Sequence, residues 1–75
     1  MSGATAVRVD LPEEATGPAL AAAVRRIRLT LARGDDVVVD PARAASWPPG
    51  PRLVLDGLRD AARRRGRSWE ERPTP

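Results

Sequence analysis

Three consecutive valines, Val37-Val38-Val39, sit at the middle of this 75-residue chain between two stretches of helical periodicity. A short unbroken β-branched run reads as a strand covered on both faces, because a half-exposed strand would alternate apolar with polar residues. Asp35-Asp36 and Asp40-Pro41 bracket the run, so it is expected to be the central strand. If the Val38 face were left open, it would be the simplest docking surface. Upstream, Val7, Val9 and Leu11 alternate with Arg8 and Asp10. This predicts a strand over 5–11 with one buried face, ended by Pro12.

Between the two strands, Leu20, Val24, Ile27 and Leu31 recur at four, three and four residues, one stripe of an α-helix. Thr16 is the expected N-cap, with Pro18 in the first turn and Glu13 and Glu14 near the positive end of the dipole. Arg33 falls in the last turn and Gly34 at the position that commonly ends a helix. Leu29 lies nearly opposite the stripe, and a lone exposed leucine is ordinarily unremarkable surface. After the valines, a Pro-rich loop over 41–51 leads to a second helix, expected to open at Gly50-Pro51 with Pro51 at the first helical position. Val54, Leu55, Leu58, Ala61 and Ala62 form its stripe, Arg63 to Arg65 favour its negative end, and Gly66 closes it. Ser68-Trp69-Glu70-Glu71 is expected as a short edge strand whose charges discourage further pairing. The predicted fold is therefore α/β: a small β-α-β-α-β unit with a three-stranded, mostly parallel sheet and two helices. One domain spans 1–72, and 73–75 form a disordered tail.

Composition narrows the chemistry. The chain has no Cys, His or Tyr, and all thirteen basic residues are Arg. Disulfides, thiolate metal sites and the commonest general base are excluded. No Gly-rich loop has phosphate-binding spacing. No catalytic residue, cofactor or metal site is therefore assigned. No apolar run reaches membrane-spanning length, and the first residues lack the order of a secretory signal, so a cytoplasmic location without membrane insertion is expected. Asp40, at the carboxyl end of the central strand, could serve a metal or a phosphoryl group, or cap the loop through backbone N–H groups. Ser46 has no ordinary base to activate it. Trp47, beside Pro48 and Pro49, is either a rigid binding anchor or a plug over a thin core. Arg63, Arg64, Arg65 and Arg67 are candidates for phosphate contacts with nucleic acid or for a solvated helix end.

Together these pieces resemble the STAS family, the anti-sigma-factor-antagonist-like domains. Val9-Asp10-Leu11 followed by Ala15-Thr16-Gly17-Pro18-Ala19-Leu20 is similar to that family's strand and helix start. Gly34-Asp35-Asp36-Val37-Val38-Val39-Asp40 is similar to its central strand. Gly50 and Leu53 to Leu55 are similar to the start of its second helix, and Ala62 to Gly66 to its ending. Trp47-Pro48-Pro49-Gly50 stands where the family has a phosphorylatable Asp-Ser-Ser-Gly segment, so the resemblance implies a shortened member without that serine.

The sequence is thus expected to encode a non-catalytic, protein-binding, bacterial signalling or transcription-regulating domain. Its docking residues would be Asp40, Arg43, Ser46, Trp47, Pro48, Pro49, Arg52 and Leu53. Its partner would be an anti-sigma-like kinase, an ATPase, a complex subunit or a second copy of itself. Two alternatives are a structural subunit of a larger enzyme or transporter complex and a basic nucleic-acid accessory protein.

Overall fold

The computed structural model describes residues 5–74. Strand β2 (Asp36–Val39) occupies the centre of the sheet, flanked by β1 (Ala6–Arg8) and β3 (Trp69–Glu71). Both neighbours pair with β2 in parallel. The crossovers are helices α1 (Gly17–Ala32) and α2 (Pro49–Arg64), which completes the expected α/β order with a sheet that is parallel throughout. β1 is shorter than the alternation predicted, although the Val9 N–H still donates to the Val38 carbonyl at 2.9 Å.

Register sorts the side chains. Val7, Val37 and Trp69 are cross-strand neighbours in one row, and Arg8, Val38 and Glu70 in the next. Successive rows point to opposite faces. Val7, Val9, Val37, Val39 and Trp69 meet Ile27 and Leu31 of α1 and Leu58 and Ala62 of α2 in one core. Both helices therefore cover the same face. Right-handed crossovers that step twice in one direction across a sheet require this.

The central strand is accordingly not sandwiched between two layers. Val38 points away from the helices yet is only 6% exposed. Arg8 and Glu70 stand directly beside it. The Arg8 guanidinium reaches the Arg72 carbonyl and the Thr74 hydroxyl, both at 3.4 Å. Glu70 in turn pairs with Arg72. Long side chains with apolar stems thus close over the valine, and the open docking face considered for Val38 does not exist. Thr74, expected in a disordered tail, donates its N–H to Asp40 Oδ2 at 3.0 Å. Pro75 lies outside the described residues, as do residues 1–4 of the expected domain.

Helix ends follow local chemistry, with two departures from expectation. Thr16 flanks α1 but makes no side-chain cap bond, and α1 has no acid in its first turn. Glu13 instead lies 3.5 Å from Arg43. α2 begins at Pro49 with Pro48 as N-cap, two residues earlier than expected. Its first turn bond runs from the Arg52 N–H to the Pro48 carbonyl. A helix start ordinarily leaves four N–H groups unpaired. Here three of those four positions are Pro48, Pro49 and Pro51, which have no N–H to leave, so no side-chain cap is needed.

Both helices end at the expected glycines, with Arg33 as the C-cap of α1 rather than in its last turn. Gly34 and Gly66 have φ of +81° and +71°. In each case the glycine N–H and the next N–H fold back onto carbonyls of the last turn: Gly34 to Leu31, Asp35 to Thr30, Gly66 to Arg63, Arg67 to Ala62. A Cβ at Gly34 would meet nothing within 4 Å, so an alanine there strains only the backbone. Gly34→Ala is expected to lower stability by about 1–2 kcal/mol, measured by urea unfolding followed by circular dichroism.

Candidate functional site

The residues expected to dock a partner divide into two groups. Asp40 and Trp47 turn inward. Asp40 is buried; its Oδ1 accepts the Ala42 N–H and its Oδ2 the Thr74 N–H, both at 3.0 Å. These backbone donors, Thr74 first, hold its pKa below the ordinary carboxylate value, with a smaller contribution from Arg43. Of the roles considered, the structure gives it loop capping. Trp47 is 4% exposed, and its indole N–H donates to the Pro12 carbonyl at 3.0 Å. It plugs the carboxyl ends of β1 and β2 and is a core residue rather than a surface anchor.

Arg43, Ser46, Pro48, Pro49, Arg52 and Leu53 remain exposed around that plug. Among the described residues, the ion pair of Arg43 is with the solvated Glu13, a contact of small energetic weight. Leu53, 69% exposed, projects from the first turns of α2. The loop therefore presents isolated groups around a closed end.

The arginine run also disperses. Arg63, Arg64 and Arg65 are consecutive at the end of a helix, so they diverge by about 100° each instead of sharing a face. Arg67 donates to the Gly34 carbonyl at 2.6 Å and ties the two helix C-termini together. The four therefore leave the end of α2 in different directions, with Arg67 engaged by the chain itself.

What the structure does bring together lies on the outside of the helical layer. The buried face of α1 centres on Ala23, Ile27, Thr30 and Leu31, leaving Leu20 and Val24 half-covered. On α2, Val54 was expected in the buried stripe but is 44% exposed. Between the helices runs an open groove of about 1120 Å³. Its apolar walls are Leu20, Val24 and Leu29 from α1 and Val54 and Ala61 from α2, with Leu58 below. Arg25, Arg28 and Arg65 rim it, and no carboxylate lines it. Every ion pair among the described residues belongs to Arg43, Arg59 or Arg72, so none of the rim arginines is held in an ion pair there.

Gly57 opens onto the same groove. A Cβ there would meet nothing within 4 Å. Sequence reasoning missed this site, although Leu29, off the stripe and among arginines, was its visible signal. The chain matches no family model, no curated protein and no solved structure.

Two outcomes test this description. The lowered pKa of Asp40 means that its stabilising bonds are present above the ordinary carboxylate range and lost as pH falls through the lowered value. Asp40→Asn is expected to melt earlier than wild type at neutral pH, with the difference closing in acid; thermal melts between about pH 7 and pH 2 read this. A constant offset at every pH would contradict it. Gly57→Ala is expected to raise stability by about 1 kcal/mol, since it improves helix propensity and meets no atom.

Proposed function

We propose that this chain is a non-catalytic protein-interaction module whose docking surface is the groove between α1 and α2. The observation that carries the reading is an apolar cleft rimmed by three arginines that have no carboxylate partner within the described residues. Exposed apolar surface rimmed by polar residues is typical of interaction sites, and Arg is enriched in interfaces. The chemical inventory supports the same view. With no His, Cys, Lys or Tyr, general acid–base and nucleophilic roles fall to Ser, Thr and carboxylates. The buried carboxylate, Asp40, is held by two backbone amides.

This reading keeps the protein-binding function expected from sequence but centres it on the helices, overlapping the expected 40–55 surface at the start of α2. The STAS resemblance suggests the kind of partner, a regulatory kinase, an ATPase or a subunit of a signalling assembly. Affinity purification from the source cells, with wild type beside the Leu29→Glu/Val54→Glu double variant, tests the reading. Both positions are exposed, so the variant is expected to fold. A protein retained by wild type and lost with the variant is the expected result. The same set of proteins retained by both would refute groove docking.

A further inference from the structure

We infer that the groove receives an acidic amphipathic α-helix supplied by the partner, an inference that rests on the docking role proposed for the groove. Three observations select this occupant over others. The first is the backbone of the walls. Both are regular 16-residue helices whose N–H and C=O groups, apart from those of the terminal turns, are paired internally. An extended peptide would find no strand edge there to complete its hydrogen bonds, whereas a helix satisfies its own. Each wall is about 24 Å long, enough to flank four turns of an incoming helix.

The second is charge. Arg25, Arg28 and Arg65 project around an apolar floor that contains no acid. A helix with a leucine-type stripe and carboxylates on its flanks would place the stripe on Leu29, Val24 and Val54 and its acids against the arginines. A two-fold pairing of this groove with that of a second copy would instead bring like-charged rims together. The third is Gly57, which lines the groove without a side chain, with open space where a Cβ would stand. A small residue on the incoming helix could approach the α2 backbone closely there. At about 1120 Å³ the groove also exceeds the ~300–1,000 Å³ usual for small-molecule pockets.

The test is selection of a displayed library of helical peptides, roughly 16 residues long to match the walls, against the full chain. Calorimetry then measures the enriched peptide. The expected winners carry an apolar stripe flanked by Glu or Asp. Their affinity is expected to fall roughly tenfold with Arg25→Ala/Arg28→Ala/Arg65→Ala and to weaken as salt rises. Gly57→Ala, expected to be more stable than wild type, should bind them more weakly. That opposition separates a lost contact from a damaged fold.

Enrichment of neutral, basic or Pro-rich peptides, or no enrichment, would overturn the inference. So would sedimentation showing a dimer that the Leu29→Glu/Val54→Glu variant abolishes, because a second copy would then fill the groove. If purification yields a groove-dependent partner while acidic helices fail to bind, the docking role stands and the helix assignment falls. If no groove-dependent partner exists, both fall.

Discussion

The direction of the two crossovers governs this structure. The chain steps from β1 to β2 and from β2 to β3 in the same sense, and parallel pairing demands a long connection at each step. With right-handed connections, both helices land on one side of the sheet. One face is then built as a core and the other must be closed without a second layer. Arg8, Glu70, Arg72 and Thr74 close it by laying long polar side chains and the end of the described chain across Val38 and Asp40. A domain of this size has little apolar surface to spare, and confining the helices to one side concentrates it.

The same economy explains the carboxyl end of the sheet. Open parallel sheets usually bind ligands beyond their strand ends. Here that position is occupied by the chain itself: Trp47 reaches back to Pro12, and Asp40 binds the backbone of Ala42 and Thr74. A tryptophan in a Pro-rich loop was ambiguous in sequence because rigidity suits an anchor and a plug equally. Burial decides it, and the need for that burial comes from the small core.

Much of the fold was legible because its signals are local. The period of two in Val7, Val9 and Leu11, the unbroken valines and the glycines after each helix are properties of short segments, and the order and type of the elements follow them, although β1 covers only Ala6–Arg8. The start of α2 was misread for a local reason too. Pro51 suits the first helical position, but Pro48, Pro49 and Pro51 together leave only the Gly50 amide unpaired and let the helix begin at Pro49. The groove was much less legible. Val54 and Leu29 are ordinary apolar residues in sequence, and their exposure depends on where the partner helix sits. Likewise, Arg63, Arg64 and Arg65 form one cluster in sequence but separate on a helix end, while Arg25, Arg28 and Arg65 converge only after folding.

The existence of the groove follows from the spacing of the two layers. Neighbouring strands lie about 4.8 Å apart, whereas packed helix axes need about 8–10 Å. Helices that cross over adjacent strand pairs cannot both sit flush above their strands and must spread toward the margins of a three-stranded sheet. Ile27, Leu31, Leu58 and Ala62 fill the seam near the sheet. Farther out an open groove lies between the helices, with Leu29 and Val54 in its lining. Larger side chains at Ala21, Gly57 or Ala61 could have narrowed that space, yet the sequence places small residues at all three positions. Leu29 and Val54 each forgo burial on the order of 1 kcal/mol by remaining half in water. In a domain with so small a core, that loss is substantial. A binding helix would recover it, so the same packing mismatch that limits the isolated fold supplies part of the driving force for association.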